Sequence, residues 1–371
     1  MTRTVVVPLF SLCWLVASTS ASAGVRIGVF GLFHATTLVV RSADASGMTL
    51  HGDRETCVLR GREAANVRLA NRSVQATCDG HELSASVIRF TSRIGGVAEI
   101  ELTVPDRIAR RFRGTIEVTA AADELVSVVS MDLETAVASV VAAEQSPTAP
   151  IEALKAQAVA ARSYFAAAAG RHRGFDFCDT THCQFLRELP ARDHPAAQAT
   201  RSTAGLVLTF HAAPIAALYS ASCGGRTRSL AEAGLPASAG YPYFSVECPY
   251  CVRHGKEWES RLTPHEDVER LAAERSEAAR LAVGRRNGWS VVPGNNFDVS
   301  RENGEIVLRG RGLGHGVGLC QLGAASMAKE HHATFSEILN QYYPGTLLKE
   351  RPSSEDIPST FASYISAKFK R

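Results

Sequence analysis

Beyond its opening residues the chain has no apolar run of about 18 residues or more, which excludes an internal membrane-spanning helix. It also has little excess charge of either sign. Forty basic residues face 37 acidic ones, for a formal net charge of +3. A dedicated nucleic-acid binder would need a basic stripe, so no nucleic-acid partner is expected. Aromatics make up only 7% of the sequence, and no internal repeat is found, so a repeat solenoid is excluded. What is present is an ordinary globular balance, 45% hydrophobic and 21% charged, over 371 residues. That composition can bury a core, and the length suits about two domains.

The first segment reads as an address. Arg3 precedes a short apolar run, Val5 to Val16, and small residues then lead to Ala21-Ser22-Ala23. This is the pattern of a secretory signal peptide, 1–23, cut before Gly24. Cys13 lies in the run without a lipid-attachment context. The expected location is therefore outside the cytoplasm: periplasm, cell wall or extracellular. No transmembrane helix is expected after cleavage.

Export favours disulfides among the eight remaining cysteines. Cys57 and Cys78 can close a local loop in the N-terminal part, adding about 3 kcal/mol by loop entropy. The other six lie later in the chain, and sequence alone does not pair them. Cys248-Pro-Tyr-Cys251 reads as a local disulfide, or as pairing with another cysteine, rather than a redox or zinc site.

Residues 24–124 carry strand-like stretches at Val25–Phe33, Val87–Phe90, Val97–Val104 and Gly114–Thr119, with turn signals such as Gly95-Gly96 between them. This is a β-rich accessory region with nothing catalytic in it. From 125 to 350 the pattern changes to two helices, then mixed strands and loops, a Gly-rich turn and a last helix. The expected fold class is α+β: a helical catalytic core with mixed strands and Gly-rich loops, preceded by the β-rich region. Residues 264–283 read as one charged helix with a solvated face, and 351–371 as a flexible basic tail.

Candidate chemistry begins at residue 133. At 100° per residue, Val137 and Val140 fall within about 40° of Leu133, and Glu144 within about 20°. A carboxyl thus continues the apolar face of its own helix, which Ser146 and Pro147 end. Burial and the negative helix C-terminus both raise the pKa of such a group, which suits a general acid. The alternative is a frayed helix end with Glu144 in water. In the next helix, between Pro150 and Gly170, Ile151, Leu154, Ala158, Ala161 and Phe165 form an apolar stripe. Lys155 and Arg162, seven apart, share another face that can bind an anion or sugar hydroxyls, or simply be solvated.

His172, Cys178, His182 and Cys183 gather within twelve residues. These donors suit tetrahedral zinc, although the spacing is not that of a zinc finger. A short Cys178–Cys183 disulfide with two bystander histidines is the competing reading. Further on, Gly310-Arg-Gly-Leu-Gly-His315-Gly-Val-Gly-Leu-Cys320-Gln321 alternates glycines without the dinucleotide-binding pattern, so no organic cofactor is expected. The small-residue loop Tyr219-Ser-Ala-Ser222-Cys-Gly-Gly-Arg-Thr227 also lets a ligand approach the backbone.

Together these segments resemble the SpoIID/LytB family, a group of sporulation-protein-D-like lytic transglycosylases and amidase enhancers. The matching pieces are Ala136–Glu144, Glu152–Tyr164, Cys178–Gln184, Tyr219–Thr227, Gly310–Ala324 and Gln341–Gly345, in the family's order over about 220 residues. The resemblance implies an enzyme that cleaves the MurNAc–GlcNAc bonds of peptidoglycan glycan strands, in some members strands stripped of stem peptides. It leaves 1,6-anhydro-MurNAc ends. The resemblance implies Glu144 as the catalytic acid and puts Lys155, Arg162 and Tyr164 on the cleft-lining helix, with Ser222, His315 and Gln321 as sugar contacts. It implies zinc on His172, Cys178 and Cys183, with His182 as the competing ligand. Some relatives are amidase enhancers, so a wall-binding module that stimulates a partner cell-wall amidase is the other reading.

Overall fold

A computed structural model describes residues 24–236 and 240–351. The expected signal segment and the tail from 352 onward lie outside the described residues. Within them the architecture is α+β, with nine α-helices and twenty strands. None of these helices is long and apolar enough to cross a membrane.

Alternation of apolar and polar residues builds the N-terminal sheet. In Ala98–Val104 every second residue is buried, the period of a strand with one face on a core. The 14-residue strand Ile108–Ala121 organises the region. Its first half pairs with Ala98–Val104. Its second half pairs with Val87–Ser92 and Glu124–Met131. Cross-strand charges lie on the outer face, where Glu117 pairs with Arg89 (2.6 Å) and Arg26 (2.9 Å). Cys57 and Cys78 form the expected local disulfide, 21 residues apart.

Three sequence expectations change. The strand from Val25 stops at Val29, because Phe30 turns to a left-handed φ of 65° and a short 3-10 turn follows. The sheet does not end at 124 but continues through Glu124–Met131, which pairs with Val25–Val29. The charged stretch near 264–283 is two helices, Glu266–Glu274 and Glu277–Asn287. Arg275, at φ 52°, breaks the run, and the Ser276 hydroxyl caps the second helix by accepting from the Ala279 N–H (3.2 Å). Their face is not simply solvated. Val268, Leu271, Ala279 and Val283 pack on Leu262, Ile306 and Leu308 of a three-stranded sheet in a small core of their own.

Two helices link the β region to the rest. Helix α1, Leu133–Glu144, is capped by Asp132, whose carboxylate accepts from the Glu134 (2.9 Å) and Thr135 (3.2 Å) N–H groups. Helix α2, Ile151–Ala167, is buried nearly all round, as a helix between two cores must be. Leu154, Ala158, Ala161 and Phe165 join the core that runs from the N-terminal sheet through α1. Ala153, Ala156, Val159 and Ala160 face a second core holding Leu208, Ile215, Leu319 and Tyr343. Alanine on both faces keeps α2 thin enough to serve both.

Candidate active site at the end of α1

Glu144 is the last residue of α1 and lies largely enclosed rather than frayed into water. Its Oε1 accepts from the Phe185 backbone N–H (2.8 Å) and from the Tyr219 hydroxyl (3.5 Å). Its own carbonyl, left free by the helix end, accepts from the Gln321 side-chain amide (3.2 Å). Neither hydrogen-bond partner of the carboxyl is another carboxylate. Burial pushes the Glu144 pKa up, the two donors pull it down, and the balance is a raised value.

The partners are themselves held. Burial drives the Tyr219 hydroxyl far above its ordinary pKa, so it stays a donor. Its single hydrogen is shared between Glu144 Oε1 and the nearer Gln184 Oε1 (3.0 Å), and Gln184 Nε2 donates to the Ala161 carbonyl of α2 (3.2 Å). Tyr219 and Gln184 both stood within the quoted sequence motifs, but side-chain pairing across 35 residues leaves no sequence period to read. Phe185 acts through its main chain, where residue identity carries no signal.

Four donors meet beside this site. His172 Nε2 is 3.2 Å from Cys183 Sγ, and His182 Nδ1 is 3.6 Å from Cys183 Sγ and 3.7 Å from Cys178 Sγ. All four donor atoms lie within 4.8 Å of one another. Ligands about 2.0–2.3 Å from one tetrahedral ion are roughly 3.3–3.8 Å apart, so the donor set could hold zinc. Cys178 and Cys183 are free thiols, not a disulfide, and both His172 and His182 lie in the group of donors. The adjacent Cys183 thiol, helped by Thr180 and His182, holds the Cys178 pKa down to about 3. Phe177–Cys178 pairs in parallel with Ile27 and Gly28 of the N-terminal sheet, so that sheet supports the cluster.

The other expected site residues divide. Arg162 is fully buried, with no face open to a ligand. It makes a two-pronged pair with Glu134 (2.7 and 2.6 Å) and donates to the Leu206 carbonyl (3.0 Å), so it braces α2 against α1. Lys155 is engaged one turn back by Glu152 (2.6 Å) and lies 5.9 Å from the Phe335 ring centre. Tyr164 is buried beside Phe177, and its hydroxyl accepts from Arg171. The burial of Arg162 and Tyr164 and the pairing of Lys155 with Glu152 explain why the helix serves packing rather than an open cleft.

The two later loops do reach the site. Tyr219–Ser220 pairs in parallel with Leu319–Cys320. That contact is close enough to require glycine at 318, where φ is 72° and a Cβ would collide with the Leu218 carbonyl. Ser222 is bonded through its backbone to Leu313 (3.2 and 2.8 Å), while its hydroxyl is buried without a hydrogen-bond partner among the described residues. Burial lowers the His315 pKa. Its Nδ1 accepts from the Val317 N–H (3.0 Å), which leaves Nε2 carrying the hydrogen of the neutral ring. A separate cavity of about 550 Å³ lies on the three-stranded sheet, lined by Trp258, Phe297, Arg309 and others, and does not include Glu144.

The family model for SpoIID, stage II sporulation protein, matches residues 121–210, which include α1, α2 and the His/Cys cluster. The chain is 29% identical over 272 residues to stage II sporulation protein D of Bacillus subtilis, covering 60% of this chain and 76% of that protein. It is likewise 29% identical over 254 residues to an uncharacterized protein of Brachyspira hyodysenteriae, covering 60% and 68%. A shorter likeness, 38% over 61 residues, is to the amidase enhancer of Bacillus subtilis, covering 16% of this chain and 8% of that protein. These likenesses support the SpoIID family for this chain, with residues 121–210 as the segment that its model matches.

Proposed function

We propose that this protein is an exported lytic transglycosylase of peptidoglycan, with Glu144 as its one catalytic carboxyl. The observation that carries the reading is the enclosed Glu144 with a raised pKa and two donors on one oxygen. Burial favours the acid form before reaction. The Phe185 N–H and Tyr219 hydroxyl favour the carboxylate after it. A group balanced in this way can give a proton and take one back.

Protonated Glu144 gives its proton to the oxygen linking MurNAc C1 to GlcNAc. The C1–O bond breaks through an oxocarbenium-like state. The Glu144 carboxylate then takes the proton of the muramic acid C6 hydroxyl as that oxygen bonds to C1. The products are a 1,6-anhydro-MurNAc end and a free GlcNAc hydroxyl, with the carboxyl protonated again. One carboxyl suffices, unlike the paired carboxylates of most glycosidases. Ser222, His315 and Gln321 are the proposed sugar contacts. Among them, the part-exposed, neutral His315 ring can hydrogen-bond to sugar without adding charge, whereas the Ser222 hydroxyl is enclosed and would need its loop to open first. Arg162 and Tyr164 are too buried to take part.

His172, Cys178, His182 and Cys183 are proposed to hold zinc, whose bound charge fixes the loop rather than entering the reaction. That loop continues directly into Gln184 and Phe185, the residues that hold Tyr219 and Glu144. The sequence pattern at 1–23 supports export.

The test incubates the full chain, and its Glu144→Gln variant, with glycan strands that carry or lack stem peptides, followed by mass spectrometry. Anhydro-MurNAc ends are expected from the unmodified protein alone, with the variant slower by about 10²–10⁴-fold or more. Equal product from the variant would sink Glu144 as the acid. The partial likeness to an amidase enhancer favours one other reading, a wall-binding stimulator of an amidase. Glycan binding without products from either protein would move the assignment there.

A further inference from the structure

The described residues contain a second set of converging donors, far apart in sequence. Cys223, Cys248, Cys251 and Cys320 are all buried, and their sulfurs lie within 4.8 Å of one another. We infer that these four cysteines bind a single zinc ion through four thiolates, as a structural centre that fastens the two substrate-side loops together.

Spacing is the first support. Four sulfurs about 2.3 Å from one tetrahedral ion stand roughly 3.8 Å apart. Cys223 and Cys251 are 3.5 Å apart, and no pair exceeds 4.8 Å. Two disulfides would instead divide the four into bonded pairs at about 2.05 Å. Cys57–Cys78 is bonded in that way, whereas these four are free thiols. A multi-iron cluster, with its ligands on different irons, would spread the sulfurs further.

The surroundings suit thiolates. The Cys223 N–H donates to Cys320 Sγ (3.3 Å), the Gly225 N–H to Cys251 Sγ (3.2 Å) and the Gly323 N–H to Cys320 Sγ (3.3 Å). The Tyr342 hydroxyl lies 3.1 Å from Cys248 Sγ. Cys320 caps the ten-residue helix Gln321–Glu330, so the positive end of that helix meets the sulfurs. Gly323 is needed for this approach, since a Cβ there would lie 2.7 Å from Cys248 Sγ and against the Tyr342 hydroxyl. A metal that displaces the thiol protons leaves thiolates, which the N–H and O–H donors ringed around them suit.

The ligands come from three segments. Cys223 follows Tyr219 in the small-residue loop, Cys248 and Cys251 flank a short turn, and Cys320 precedes Gln321. Tyr219 and Gln321 are the two side chains that reach Glu144 from this side. The ion therefore clamps the strand pair that carries Tyr219 and leads directly into Gln321 at the start of the helix. This inference does not depend on the transglycosylase reading, because its measurement is metal content.

The test uses the full chain with the first cluster removed by Cys178→Ser and Cys183→Ser. Elemental analysis of that variant should find about one zinc per chain, and cobalt substitution should give the visible spectrum of a tetrahedral four-thiolate site. Adding Cys251→His should retain the ion while shifting the spectrum to three sulfurs and one nitrogen. That swap keeps a ligand and so separates loss of binding from loss of folding. Zinc absent from the first variant, iron in its place, or an intact mass lighter by the hydrogens of two further disulfides would each overturn the proposal.

Discussion

The raised pKa of Glu144 has consequences for stability as well as for rate. The folded protein binds this proton more tightly than the unfolded chain does. Its stabilising contribution is therefore complete below the unfolded pKa and is lost as pH rises through the folded one. Glu144→Gln cannot ionise and escapes that loss. The variant should gain thermal stability relative to the parent as pH is raised from mildly acidic to neutral, measured as the difference between their melting temperatures. A difference that shrinks instead would mean that Glu144 is ionised and comfortable when folded. In the same pH range the cleavage rate should fall as the acid form is depleted. Tyr219→Phe removes a donor that favours the carboxylate, so the descending limb of the pH–rate profile should move upward. The rate below that limb should drop about tenfold, the size of one weak charge-assisted hydrogen bond of about 1.5 kcal/mol. A profile that keeps its position would remove Tyr219 from the proton-holding role.

At the scale of elements, the pairing of α1 with α2 rests on Arg162. Its guanidinium is wholly buried, while Glu134, its partner, is about one-third exposed at 37%. Truncating Glu134 to alanine strands a buried cation, which costs about 3 kcal/mol at the lower end for broken buried pairs. A urea-denaturation midpoint should fall accordingly, and one that stays put would mean water reaches Arg162. Lysine at 162 should not substitute, since it lacks the planar fork that meets both Glu134 oxygens. The same pair shows what sequence can and cannot reveal. Helix α1 was readable to its last residue, because Leu133, Val137 and Val140 follow one period and Glu144 continues it. Helix α2 was readable as a helix but not as one buried on both sides. Alanine hardly marks a face, so Arg162 reads as part of a face open to a ligand or to solvent. The break at Arg275–Ser276 was not legible in the charged stretch, because helix-forming residues flank it on both sides. Cys223, Cys248, Cys251 and Cys320 were not legible as one group, for their convergence depends on strand pairs joining residues about 100 apart, such as Tyr219 with Leu319.

Across the whole molecule, the site is held from two directions. The N-terminal sheet supports Cys178 and, through the His/Cys loop, the Phe185 N–H. The four-cysteine core supports Tyr219 and Gln321. Glu144 stands between them at the end of a helix whose own apolar face belongs to the same core as the N-terminal strands. The β-rich region is thus packed into the structure that carries the acid, and its stability should be felt there. The Cys57–Cys78 bond tests this from a distance. It closes a loop of 21 residues in sequence, worth about 3 kcal/mol by chain entropy. If the core is continuous in energy as it is in space, replacing both cysteines with serine should lower a single calorimetric transition by several degrees. Unfolding followed at the N-terminal sheet and at α1 should shift together. Early melting of the N-terminal strands, with the transition at α1 unmoved, would show that the shared contacts are too weak to couple the two parts. The sheet would then be dispensable as a support for Cys178 and for the loop that holds Glu144.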